Sequence, residues 1–136
     1  MEMNCFVVDT FAWIEYFKGS ASGLEVLDLI KGQRNELFTP ITALSELKDY
    51  CERQGKNFEE IYIAVRSNSS ILELGGEDAI EAGKNHFEMK KKMKNWGYMD
   101  SFILAALKKM QKIHKKAKIV TGDEHFRQFP FTIWIK

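Results

Sequence analysis

"MNCFVVDTFAWIEYFKG", residues 3–19, decides the architecture. It begins as a continuous apolar run that ends on Asp9. A run of this length built on Phe6, Val7 and Val8 suits a strand buried on both faces, as in parallel sheets covered by helices. From Thr10 the apolar residues fall at helical spacing, and Gly19 stands where a helix closes. The rest of the chain repeats that alternation. Residues 20–32 read as a helix on Leu24, Leu27 and Ile30. "ELFTP" (36–40) reads as a short strand ending before Pro40, and 41–55 as a helix capped by Thr39 or Thr42. A helix over 58–67 and a strand over 70–74 follow. Residues 77–95 read as one long amphipathic helix, acidic in its first turn and rich in lysine toward its end, as the macrodipole favours. "NWGYMDSFILAAL" (95–107) then opens a helix that runs to about Ile113. A strand over 117–122, one helical turn over 123–129 and a last strand over 131–136 complete the pattern. Strand–helix alternation predicts an α/β fold, with a mainly parallel twisted sheet of about five strands flanked by helices.

The 136 residues are 45% apolar, with no low-complexity tract, no repeat and no linker. That composition predicts one domain over 1–136 and argues against disorder. No apolar run approaches the roughly 18 residues that span a bilayer. The acid in "MEMNCFVVD" stands where a secretory signal has a basic region, so a cytoplasmic protein is expected. Cys5 and Cys51 lack the paired spacing of a zinc or redox motif and read as buried, reduced thiols.

A net charge of +1 hides a division. Residues 1–83 hold 7 Lys/Arg against 15 Asp/Glu, whereas residues 84–118 hold 11 Lys against 2 acids. This asymmetry allows a basic face for a polyanion beside an acidic cleft. The plainer reading of the lysines is a solvated helix surface.

In open parallel sheets, ligands bind beyond the carboxyl ends of the strands. Asp9 ends the first strand, and Asp123 follows Thr121 of the fourth by one glycine. Parallel strands would put both acids at one edge. Asp9, Asp100 and Asp123 each also precede or open a helical stretch, where Asp serves as a cap. Capping does not account for Glu46, which lies inside 41–55 among Ala43, Leu44 and Leu47. A carboxylate buried there needs a cation or a metal; a solvated position beside Ser45 and Lys48 is the other reading. Clustered carboxylates repel one another, and Mg²⁺ or Mn²⁺ relieves that repulsion through hard oxygen ligation. A metal so held polarises a phosphate and acidifies bound water, which points to phosphodiester hydrolysis.

"FVVDTFAWIEYF" around Asp9, "PITALSELKDY" around Glu46, "YMDSFILAAL" around Asp100 and "IVTGDEHF" around Asp123 resemble the four motifs of the PIN-domain family. Their order, spacing and chain length match over essentially the whole sequence. The likeness is nearest to the VapC-like toxin ribonucleases of type II toxin–antitoxin pairs. No single motif is specific; the four in order are. The resemblance implies a three-layer fold and an endonuclease that cuts single-stranded RNA to a 3′-hydroxyl and a 5′-phosphate. It implies that Asp9, Glu46, Asp100 and Asp123 bind Mg²⁺ or Mn²⁺, with Thr10 and Thr121 in support. It also implies a homodimer silenced by a cognate antitoxin protein. The lysine-rich stretch 84–94 and the following "WGY" depart from the simplest family pattern.

Trp96 and Tyr98, with Lys91, Lys92 and Lys94, are candidates for gripping RNA, since exposed aromatics in basic surroundings stack on unpaired bases. Packing of the loop is the competing role for both aromatics. Trp13, Tyr16 and Phe17 exceed what one buried stripe needs and suit either the core or a partner surface. His125 reads as a hydrogen-bonded packing residue rather than a metal ligand. Two phosphotransfer folds fail on readable residues. A receiver domain wants a second acid beside Asp9, and a haloacid-type phosphatase wants Asp where Phe11 stands. An RNA-processing nuclease without an antitoxin and a non-catalytic RNA- or protein-binding scaffold stay open.

Overall fold

The computed structural model describes residues 2–136. β1 (Asn4–Val8) leads into α1 (Thr10–Lys18) and α2 (Ala21–Lys31), then β2 (Asn35–Pro40), α3 (Ile41–Gln54), α4 (Phe58–Asn68) and β3 (Ser70–Leu72). There follow α5 (Gly76–Lys90), α6 (Tyr98–Gln111), β4 (Lys118–Thr121), a 3-10 turn (Glu124–Phe126) and β5 (Thr132–Trp134). The five strands pair in the order β3-β2-β1-β4-β5, and every pairing is parallel.

Side-chain alternation on β1 divides the core into two. Phe6 and Val8 pack with Trp13, Val26, Leu47 and Val65 of α1–α4. Cys5 and Val7 pack with Trp96, Leu104, Leu107 and Met110 on and before α6, and with Met89 of α5. Helices therefore cover both faces of the sheet in three layers, which is why β1 reads as an unbroken apolar run. Burying each large side chain contributes about 1.5–3 kcal/mol, and both cysteines are buried as free thiols.

Local chemistry sets the first helical layer. Gly19 closes α1 at φ 67, a left-handed conformation that a side chain would oppose, and its N–H bonds to the carbonyls of Glu15 and Tyr16. A Cβ at Gly23 would lie 2.1 Å from the Glu15 carbonyl oxygen, so α2 crosses α1 backbone against backbone. Trp13 donates its indole N–H to Thr39 Oγ1 at 3.0 Å, tying α1 to the end of β2.

Three expectations need correction. Neither Thr39 nor Thr42 caps α3; Pro40 occupies the cap position with no side-chain bond, and Thr39 is committed to Trp13 and Ser69. Pro40 belongs to β2, where it is the last paired residue, opposite Leu72. The lysine-rich helix stops at Lys90, not at 95, because the chain must turn for Trp96 to enter the core at 1% exposure. Among the described residues no helix is long and apolar enough to cross a membrane.

From β1 the chain builds β2 and β3 on one side, then crosses back to add β4 and β5 on the other, so the strand order reverses between β1 and β4. The crevice at the carboxyl end of that junction is where an open α/β sheet receives a ligand.

Candidate functional site: an acidic cleft at the sheet edge

Val8 pairs with Val120, so the next residues on each strand, Asp9 and Thr121, emerge side by side. The Thr121 hydroxyl donates to Asp9 Oδ2. Asp9 Oδ1 accepts the backbone N–H of Ala12 at 2.9 Å, which caps α1. Thr121 Oγ1 also accepts the N–H of Asp123 at 2.9 Å, and Asp123 Oδ1 accepts the N–H of His125 at 2.9 Å. One chain of hydrogen bonds thus runs from α1 through Asp9 and Thr121 to the 3-10 turn.

The other two acids arrive on separate helices. Glu46, in the second turn of α3, accepts the Thr10 hydroxyl on Oε1 at 2.7 Å. Asp100, in the first turn of α6, accepts the Gly97 N–H at 2.9 Å and pairs with His125 Nδ1 at 2.8 Å, both on Oδ2. All four acids line one cleft of about 490 Å³. Phe11, Ile14, Met99 and Ile103 supply apolar wall, and Asp49 and Arg53 sit one and two turns beyond Glu46. Arg53 is the cleft's only Lys or Arg, and its guanidinium is engaged with Asp49 at 2.9 Å.

Like charges in a partly dry cleft resist ionisation. Burial pushes the Asp9 carboxyl up to about 7, against the Thr121 and Ala12 hydrogen bonds; the charges of Asp123 and Glu46 push the same way. Glu46 is raised by burial and by Asp100 and Asp123, with the Thr10 hydroxyl opposing. Asp100 is raised by burial and by Asp123, while the Gly97 N–H and His125 oppose. Among the described residues no buried Lys or Arg balances this charge.

Asp9, Glu46, Asp100 and Asp123 come together as the motif order predicts, with Thr10 in the cleft and Thr121 buried behind Asp9. Trp96 does not join them. It is 1% exposed, donates Nε1–H to Ser101 at 2.7 Å and packs on Phe126 and Phe129, so it has no face free for a base. Trp13 is likewise wholly buried, which assigns it to the core. Tyr98 is exposed and stacks flat on His86 with ring centroids 3.8 Å apart. Lys91, Lys92 and Lys94 are exposed on the turn before α6 and do not line the cleft. Sequence reasoning passed over Asp49 and Arg53, whose helical spacing from Glu46 was the available signal. His125 is hydrogen-bonded to Asp100 and packed on Trp96, as its sequence reading expected, and its ring nitrogen also lies close to Asp123.

The model of the PIN domain family matches residues 6–132. No curated protein sequence matches the chain. Among solved structures the chain is similar to VapBC2 from Rickettsia felis bound to a DNA fragment from its promoter, at 19% identity and TM-score 0.70 over 96% of both chains. It is similar to DNA-bound VapBC from Salmonella typhimurium, at 21% identity and TM-score 0.66 over 98% of both chains. It is also similar to Mycobacterium tuberculosis VapC20, a sarcin-ricin loop cleaving toxin, at 14% identity and TM-score 0.69 over 93% of this chain and 95% of that one. At these identities the likeness is one of fold.

Proposed function

This chain belongs to the PIN domain family, and on that premise we propose that it is a metal-dependent endoribonuclease acting on single-stranded RNA, the toxin of a toxin–antitoxin pair. The observation that carries the nuclease reading is the convergence of Asp9, Glu46, Asp100 and Asp123 in one cleft without a free protein cation. Glu46, Asp100 and Asp123 each use one oxygen for a protein donor, and the other has no hydrogen-bond partner among the described residues. Such a donor set of hard, uncompensated oxygens fits Mg²⁺ or Mn²⁺. Those four residues would hold the ion. Its chemistry there would be Lewis-acid charge for the scissile phosphate, an attacking water and the leaving 3′ oxygen. Thr10 and Thr121 fix the Glu46 and Asp9 carboxylates and keep them available as ligands.

An acidic cleft repels RNA, so the backbone must be held beside it. Lys91, Lys92, Lys94 and Tyr98 are our candidates. α5 and α6 run antiparallel, which the Tyr98–His86 stack and the Lys108–Glu81 pair at their opposite ends support. The turn between them therefore adjoins Asp100. Lys108 and Lys109 are engaged with Glu81 and Asp78, whereas no acid pairs with Lys91, Lys92 or Lys94 among the described residues. The antitoxin is proposed from kinship, since the Rickettsia and Salmonella structures are VapBC complexes; the homodimer is proposed from the family resemblance alone.

The test is cleavage of an end-labelled single-stranded RNA by purified wild type and Asp100→Asn, with Mn²⁺ and with EDTA. Cleavage by wild type with metal alone supports the reading. Equal metal-dependent cleavage by Asp100→Asn refutes it, because the activity then does not come from this cleft. Cleavage by neither, together with no Mn²⁺ binding in calorimetry, would make the chain a scaffold.

A further inference from the structure

We infer that His125 is a positioning residue of the acidic cleft: its Nδ1–H fixes the Asp100 carboxylate and leaves Oδ1 as the oxygen available to a cation. The inference rests on the reading of the cleft as a cation site. Asp100 is the one cleft acid whose bound oxygen takes two donors from different elements. The Gly97 N–H comes from the entry to α6, and His125 comes from the turn after β4. A single hydrogen bond restrains a carboxylate's distance; two donors converging on Oδ2 also restrain its rotation. His125 is itself held at both ends. Its backbone N–H donates to Asp123 Oδ1 at 2.9 Å, and its ring tilts against buried Trp96 at 5.7 Å between centroids. Nδ1 lies 2.8 Å from Asp100 and 3.5 Å from Asp123. One residue therefore couples the acid on α6 to the acid after β4.

The same geometry argues for a donor rather than a ligand. The nitrogen that faces the acids is Nδ1, and it is occupied by Asp100. To ligate a metal it would have to surrender its proton and that bond. Loss of the partner that orients a metal ligand typically lowers metal affinity about 10- to 100-fold.

The experiment titrates Mn²⁺ into purified wild type, His125→Ala, His125→Asn and His125→Gln by calorimetry, with thermal unfolding in EDTA as the folding control. Asparagine places an amide nitrogen near the position of Nδ1, whereas glutamine places it near Nε2. Positioning through Nδ1 predicts near-native affinity for His125→Asn and a loss of about 10- to 100-fold for His125→Ala and His125→Gln. The Asn–Gln pair decides the matter even where the alanine variant does not fold. Undiminished affinity in both Ala and Gln variants overturns the role. So does ¹⁴N coupling from a bound imidazole in the Mn²⁺ spectrum of wild type, which would make His125 a ligand. If wild type binds no Mn²⁺, the cation reading of the cleft fails, and this role falls with it. If wild type binds and both His125→Ala and His125→Gln match it, only this role fails.

Discussion

Replacing Asp9 by Asn should stabilise the metal-free protein while removing its metal chemistry. Asp9 is 6% exposed, and its carboxyl is pushed from 3.8 up to about 7, first by burial. The folded value lies above the unfolded one, so between those values the native protein keeps a proton that the unfolded chain has released. The stability contributed by Asp9 is therefore complete below 3.8 and lost as pH rises through about 7. A rise of that size corresponds to about 4 kcal/mol carried as a penalty at pH 8. Asn keeps the volume and the acceptor for Ala12 N–H, and its amide can donate to Thr121 Oγ1 if that hydroxyl turns. Allowing for imperfect rebonding, Asp9→Asn should gain roughly 2–4 kcal/mol at pH 8 in EDTA and little at pH 4. In urea unfolding this is a midpoint shift of about 1–2 M at pH 8. Asp123 and Glu46 are coupled to Asp9 by charge, so the difference between the two reads Asp9 together with that coupling, with burial the larger part. Saturating Mn²⁺ should then raise the wild-type midpoint and leave the variant's nearly still. A variant weaker than wild type at pH 8, or a difference independent of pH, refutes the burial argument.

Three further outcomes follow from the same geometry. Lys91→Gln, Lys92→Gln and Lys94→Gln together should weaken binding of single-stranded RNA in EDTA and reduce the slope of log K against log salt by about 2, if each lysine meets one phosphate. The matching triple at Lys112, Lys115 and Lys116, at the far end of α6 and about 20 Å from Asp100, should leave both unchanged; equal effects would remove the case for the turn. Trp96→Phe should lower stability by about 1–3 kcal/mol, since it orphans buried Ser101, without changing RNA affinity of the folded protein. A drop in affinity at unchanged stability would return Trp96 to the RNA. Gly23→Ala should cost about 1–3 kcal/mol or more, because its Cβ meets backbone rather than a flexible side chain; an unaltered melting temperature would contradict the close crossing of α1 and α2.

The order of elements was legible because period and punctuation agree along the chain. β1 is apolar on both faces because helices cover both, and α1 carries its cap and its closing glycine in place. What misled lay at joints where tertiary demand overrides local pattern. The lysines of 90–94 continue a helical rhythm and contain no breaker, so nothing local announces the stop at Lys90. The stop is dictated by Trp96, whose indole is worth more in the core than another turn of helix. The same indole looked like a stacking platform, because a Trp beside lysines reads alike whether its ring faces out or in. Thr39 looked like a cap for an analogous reason. It stands at the right distance from α3, but a buried indole N–H thirteen residues into the chain has the stronger claim on its hydroxyl.

The acids posed a sharper problem, since a cap and a metal ligand share one residue type at one place. The geometry makes the two roles complementary. Asp123 caps the 3-10 turn with one oxygen, and Asp100 takes Gly97 at the entry to α6 with one oxygen. Each bond engages one carboxylate oxygen and leaves the second oxygen without a donor. Glu46 reaches the same condition without any cap, through Thr10. Asp9 is the exception: Ala12 and Thr121 occupy both its oxygens, and it is the most deeply buried acid of the four. Each of its oxygens can still accept a further partner, but only the ionised form serves a cation well. The raised pKa of Asp9 thus sets a condition on the site. Below about pH 7 a metal must displace a proton from Asp9 to bind, so affinity should rise with pH across that range. Calorimetric titration of Mn²⁺ at pH 6 and pH 8 measures this directly. Binding weaker at pH 6 than at pH 8 and accompanied by more released protons supports the coupling, and affinity equal at both values refutes it.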